Sequence, residues 1–126
     1  MDTKKRKDDS FVEYLIDALA ALPGLRSKPM FGGHGLQSED AFFGIVDDGV
    51  AYFKVDETTL LKYEEQGSEP FTYSREGKSM TMGYYAVPAD VVEDHEMLFA
   101  WAEDAIRVAR KARSTRTGRT NKKSHT

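Results

Sequence analysis

Apolar residues recur early in the chain with the period of a helix. Phe11, Tyr14, Leu15, Ala18, Leu19 and Leu22 fall at offsets 0, 3, 4, 7, 8 and 11, one stripe on a helix over residues 8–22. Asp8, Asp9 or Ser10 can cap it, Glu13 lies three after Ser10 in capping-box spacing, and Pro23-Gly24 ends it. The period then shortens to two. Leu25–Phe31 reads as a strand, Gly32, Gly33 and Gly35 mark a bulge or tight bend, and Ser38-Glu39-Asp40 a turn. Ala41–Asp47 and Val50–Val55 are two strands joined by Asp48-Gly49, a two-residue hairpin signal.

That loop length pairs Asp47 with Val50, Ile45 with Tyr52 and Phe43 with Lys54, and opposed residues share a face. Strict alternation gives one mixed face of Phe43, Ile45, Asp47, Val50, Tyr52 and Lys54. It gives one apolar face of Phe42, Gly44, Val46, Ala51, Phe53 and Val55, which is expected to pack on helices. The mixed face, with Phe43, Ile45, Tyr52 and Lys54, is the candidate interaction face.

Asp56 or Thr58 caps a short helix ended by Gly67, with Leu60, Leu61 and Tyr63 as its expected buried side. Pro70–Ser74 and Lys78–Val87 form a second hairpin around Arg75-Glu76-Gly77. A helix capped by Asp90 runs to about Ala112 on a stripe of Val91, Leu98, Trp101, Ala102, Ala105, Ile106 and Ala109. The order is helix, about four strands, helix, two strands, helix. Adjacent strands with few helices predict an α+β fold, with an antiparallel sheet of five to six strands flanked by helices. The domain is expected over residues 8–112, with residues 1–7 and 113–126 as basic, disordered ends.

Charge changes this picture. The overall −3 hides a body, residues 8–104, with 6 basic and 20 acidic side chains, a net −14. Residues 1–7 carry +3 and residues 105–126 carry +8 with no acid. Such a body repels phosphate, so only the ends suit a polyanion. The candidate contacts there are Arg107, Arg110, Lys111, Arg113, Arg116, Arg119, Lys122 and Lys123. The sequence contains no stretch of the length and apolar character a membrane helix needs, so no membrane partner and a cytoplasmic location are expected.

Candidate chemistry is sparse. The chain has no cysteine, which excludes disulfides, thiol nucleophiles and thiolate metal sites. His34, His95 and His125 are scattered, and none has a second ligand at metal spacing. Glu93-Asp94-His95-Glu96 spreads around a helix instead of converging. The glycines after Met30-Phe31 match neither a dinucleotide fingerprint, since Ser38 stands where the third Gly is needed, nor a phosphate loop, since no Gly-Lys-Ser/Thr follows. They read as structural. No catalytic residue, metal or cofactor is expected.

The order of motifs carries more. Met30-Phe31-Gly32-Gly33-x-Gly35-Leu36, Phe43-Gly44-Ile45-Val46, Asp48-Gly49, Tyr52-Phe53-Lys54-Val55-Asp56, Pro70-Phe71-x-Tyr73, Met82-x-Tyr84-Tyr85-x-Val87-Pro88 and Trp101-Ala102 run from about Ser10 to Arg110. Together they resemble the N-terminal domain of the TfoX/Sxy family. The resemblance implies an α+β fold like that of secretion chaperones, and a link to bacterial control of competence and DNA uptake. It implies a stand-alone first domain, because two-domain members carry a helical second domain. It transfers no catalytic residue, and Met30, Phe31, Gly32, Gly33 and Gly35 stand as a structural signature turn.

The function expected is therefore a non-enzymatic regulatory, protein-interaction module that binds a protein partner and is open to homodimerisation. The alternatives are a small-ligand binder or enzyme using a sheet groove, and a weak, nonspecific nucleic-acid binder acting through the basic ends.

Overall fold

The structure is a computed structural model. It describes the backbone of residues 3–30, 33–75 and 78–125, and the side chains of 9–30, 33–72 and 83–112 within these. The described elements are α1 (Thr3–Ala18), β1 (Leu25–Met30), β2 (Gly33–Ser38), β3 (Ala41–Asp47), β4 (Val50–Lys54), α2 (Leu60–Glu65), β5 (Pro70–Arg75), β6 (Lys78–Ala86), α3 (Ala89–Glu93) and α4 (His95–His125). The six strands form one antiparallel sheet in the order β1-β2-β3-β4-β6-β5. The α+β fold expected from the sequence is the fold observed.

One face of the sheet carries the helices. Val12, Leu15, Leu19 and Leu22 from α1 and the turn after it meet Leu36, Phe43, Val46, Ala51 and Phe53 from the strands. Leu98, Trp101, Ala102, Ala105 and Ile106 of α4 complete this core. The edge strand β1 holds Arg26, Lys28 and Pro29 outward, which blunts further strand pairing. The turn between β3 and β4 has positive φ at both Asp48 and Gly49, as a twist-matched two-residue hairpin requires, and Asp47 pairs with Val50.

Several boundaries differ from the pattern reading. The last helix breaks at Asp94, whose backbone is extended while its carboxylate accepts from the N–H groups of Glu96 and Met97 at 3.1 and 3.2 Å. Asp94 is thus the N-cap of α4, and the acidic run conceals a helix start. α1 begins at Thr3 and α4 continues to His125. The continuous period-3.6 apolar stripe stops well short of both ends, but no proline interrupts either segment and Lys and Arg are good helix formers. Leu61, expected to be buried, is 62% exposed, because the six residues of α2 turn only one side, that of Tyr63, to the core.

A β-bulge in β3 corrects the facial assignment. Gln37 pairs with Phe42 but Leu36 with Gly44, so Phe43 is an extra residue opposite β2. Phe43, placed by alternation on the mixed face, is fully buried against the helices. Phe42, placed on the helix face, lies on the other side beside Ile45, Tyr52, Phe71 and Tyr84. From Gly44 to Lys54 the predicted pairing and faces hold.

Candidate functional site

The sheet face away from the core carries a second apolar cluster. Ile45, Phe71 and Tyr84 are buried there, and Phe42 and Tyr52 are half-buried against them. The rings meet edge-on, Phe42 with Tyr84 at 6.1 Å and Tyr52 with Phe71 at 5.0 Å between centroids. Lys54 Nζ lies 4.9 Å above the Tyr84 ring, a cation–π contact. Burial pushes the Tyr84 phenol up to about 12. Tyr52 is also raised, first by burial and then by the carboxylates of Asp47, Asp48 and Glu69. Both phenols are therefore neutral at physiological pH and act as hydrogen-bonding groups, not as anions.

Where this face meets α4 there is a cleft of about 340 Å³, lined by Asp40, Ala41, Phe42, Lys54, Tyr84, Ala109, Arg110 and Ala112. Of the four residues expected on the interaction face, Ile45, Tyr52 and Lys54 lie together here, and Phe43 is on the opposite side. Ile45 is sealed in, so the accessible part consists of Phe42, Tyr52 and Lys54.

Gly33 and Gly35 are tied to the same region by space. Neither has a positive φ. A Cβ on Gly33 would lie 2.0 Å from the Val46 carbonyl oxygen, and one on Gly35 would lie 2.6 Å from Met30 Sδ and 2.9 Å from Phe42 Cζ. Met30 pairs with Gly33 to close the β1–β2 hairpin, while Phe31 and Gly32 lie outside the described residues.

A family model for the TfoX N-terminal domain matches residues 17–109. The chain belongs to that family. It is 28% identical over 101 residues to Protein Sxy of Escherichia coli (strain K12), covering 80% of this chain and 48% of that protein. It is 26% identical over 111 residues to DNA transformation protein TfoX1 of Aliivibrio fischeri (strain ATCC 700601 / ES114), covering 88% of this chain and 53% of that protein. The chain thus spans about half the length of these curated relatives.

In this TfoX N-terminal domain the basic residues of α4 divide into two groups. Arg107 pairs with Asp104 at 2.7 Å, and Arg110 pairs with Glu39 at 3.0 Å and reaches Asp40 at 4.0 Å. Two of the expected polyanion contacts are therefore engaged by the domain's own acids. Lys111 is exposed, and the side chains of Arg113, Arg116, Arg119, Lys122 and Lys123 lie outside the described residues.

The described histidines do not converge. His34 Nε2 faces Asp9 at 3.2 Å, and His95 Nε2 faces the Tyr14 hydroxyl at 3.2 Å. No group of three metal-ligating side chains occurs among the described residues, and no helix among them is long and apolar enough to cross a membrane.

Sequence reasoning missed the environment of Tyr14. Its spacing places it in the α1 stripe, yet it is 36% exposed, with the hydroxyl donating to the Val92 carbonyl at 2.7 Å. Val12, absent from that stripe, takes the buried place. The available signal was the phenol itself, whose polar tip favours the rim of a core over its centre.

Proposed function

We propose that this domain is a regulatory module of bacterial competence that works by contacting a protein partner and not by catalysis. The observation that carries the reading is the family match over residues 17–109, with a relative whose name is DNA transformation protein. The acidic body supports a protein partner over bare duplex, because 20 acids against 6 bases in residues 8–104 repel phosphate. Partner binding and any homodimer would use side-chain surface such as Phe42, Tyr52 and Lys54 on the open sheet face. Such regulation takes place in the cytoplasm, where the promoters are.

The test is genetic. Deleting the coding sequence in the bacterium of origin is expected to lower uptake of marked DNA at least tenfold, and to lower transcripts of DNA-uptake genes with it. Complementation with the intact chain restores both. Unchanged transformation and unchanged transcripts under competence-inducing conditions would remove the regulatory reading.

A further inference from the structure

The helical layer presents a different surface from the sheet face. Between α1 and the first turns of α4 runs a groove of about 370 Å³, lined by Ala18, His95, Glu96, Phe99, Ala100 and Glu103. It is shallow and open, its apolar lining formed by half-buried Ala18 and Phe99 and exposed Ala100, with the two glutamates beside them. Tyr14 lies beside the lining residue His95, the ring edge-on to it at 5.7 Å and stacked with Phe11 at 6.3 Å. The Tyr14 hydroxyl donates to the Val92 carbonyl of α3 and lies 3.2 Å from His95 Nε2 at the start of α4, so α1 is tied to both helices.

The helix surface around the groove is mainly acidic, and Arg107, one turn beyond Glu103, is held by Asp104. Residues 9–22 and 89–106 contain nine acids (Asp9, Glu13, Asp17, Asp90, Glu93, Asp94, Glu96, Glu103 and Asp104) and no Lys or Arg. Asp9 faces His34, Asp104 is held by Lys62 and Arg107, and Asp94 caps α4. Glu96 and Glu103, on the groove itself, have no ion-pair partner among the described residues.

We infer that this groove docks a basic amphipathic helix of a partner protein, its apolar side chains seated over Ala18, Phe99 and Ala100 and its Lys or Arg residues facing Glu96 and Glu103. The small side chains of Ala18 and Ala100 beside Phe99 let a helix approach closely, and amphipathic helices dock through apolar anchors at i, i+3, i+4 and i+7. Glu96 and Glu103 favour a basic occupant and raise its encounter rate. The chain's own basic end does not meet the requirement. Residues 113–126 contain no apolar side chain to seat on that lining. The inference rests on the interaction-module reading and goes beyond it, adding a second contact surface on the helical side to the sheet face already named. Its test, however, is a binding measurement on purified protein, which can fail while the transformation phenotype stands.

The probe is a fluorescein-labelled synthetic 20-residue helix with leucines at i, i+3, i+4 and i+7 and lysines on the flanks. Its affinity for the full chain is read by anisotropy. Replacing its leucines by serine, at unchanged charge, is expected to weaken binding at least tenfold. Replacing its lysines by glutamate is expected to abolish binding. Ala100→Glu on the protein is the deciding variant. The position is an exposed helix site, and the change adds negative charge, so attraction by charge alone would tighten binding, whereas an obstructed groove loosens it at least tenfold. Equal binding of the leucine and serine peptides, or unchanged or tighter binding to Ala100→Glu, would overturn the inference. So would a peptide of residues 107–126 that binds as tightly as the leucine peptide and competes with it, because the occupant would then be a second copy of this chain.

Discussion

A methyl group on Gly33 would meet the Val46 carbonyl oxygen at 2.0 Å, and one on Gly35 would meet the ends of two side chains, Met30 and Phe42. The two glycines sit in one motif but answer to neighbours of different stiffness. Backbone cannot yield without disturbing the β2–β3 ladder, while a thioether rotates. Gly33→Ala is therefore expected to cost about 1–3 kcal/mol, the range for overpacking a well-filled interior. Gly35→Ala is expected to cost clearly less. Gly67 is a third case: its φ is +75° and nothing lies within 4 Å of its Cβ position, so Gly67→Ala carries only the left-handed backbone cost, about 1–2 kcal/mol. Urea unfolding of the three variants separates these causes. A neutral Gly33→Ala, or one milder than Gly35→Ala, would mean that the approach to Val46 is not what the motif requires.

At the scale of elements, legibility depended on whether local chemistry or a distant partner set the geometry. Asp48-Gly49 fixed its hairpin because both residues tolerate positive φ, and the register of β3 on β4 follows from that turn alone. The bulge at Phe43 left no such trace. It arises where β3 must satisfy β2 on one side and β4 on the other, and within Ala41–Asp47 the one local sign is Gly44, which does not say which neighbour is the extra residue. Strict alternation accordingly puts Phe43 on the candidate face where the fold puts Phe42, while Ile45, Tyr52 and Lys54 lie where alternation places them. Phe43→Ala is expected to destabilise by about 3–5 kcal/mol as a buried truncation. Phe42→Ala, half-buried, is expected to cost about 1–2 kcal/mol. The reverse order in thermal or urea unfolding would restore strict alternation. The entry to α2 gives a prediction in pH. The Asp56 carboxylate accepts from the Thr58 hydroxyl at 2.6 Å and from the Thr58 N–H at 2.8 Å, and these bonds, the hydroxyl first, hold its pKa below the ordinary 3.8. A depressed carboxylate stabilises the fold fully above its unfolded pKa and loses that effect as pH falls through the folded value. The difference in melting temperature between the wild type and Asp56→Ala should thus be constant from pH 7 to about 5 and shrink below about 3.8. A difference that persists undiminished at the acid end would place the effect of Asp56 outside its charge.

The whole molecule sets a basic helix end against an acidic body. α4 is one helix to His125; among the described residues Ala109 is its last in contact with the core, and from Arg107 onward the sequence holds eight basic side chains and no acid. Arg107 and Arg110 are drawn to Asp104, Glu39 and Asp40. Lys111 is exposed, and Arg113, Arg116, Arg119, Lys122 and Lys123 follow it in the sequence. Base composition and spacing made this charge division plain in the sequence. Which arginines the body neutralises was not legible, because Glu39 approaches Arg110 only once the β2–β3 turn is folded beside α4. A family linked to DNA transformation raises the question of duplex contact, and the charge arithmetic bounds the answer. Each phosphate neutralised contributes about −0.9 to the slope of log affinity against log salt. Four to six such contacts from the helix end would give a slope of roughly −4 to −5, nonspecific binding of micromolar strength or weaker, and near-complete loss toward physiological salt. Removing residues 114–126 should weaken duplex binding and flatten that slope while leaving the melting temperature in place, because the described core residues of α4 precede the cut. Anisotropy at two salt concentrations, with a promoter duplex and a scrambled one, measures slope and selectivity together. Tight, sequence-selective binding that survives the truncation would mean that the acidic domain itself reads DNA, against its charge of −14 over residues 8–104, and the protein-contact reading would fall with it.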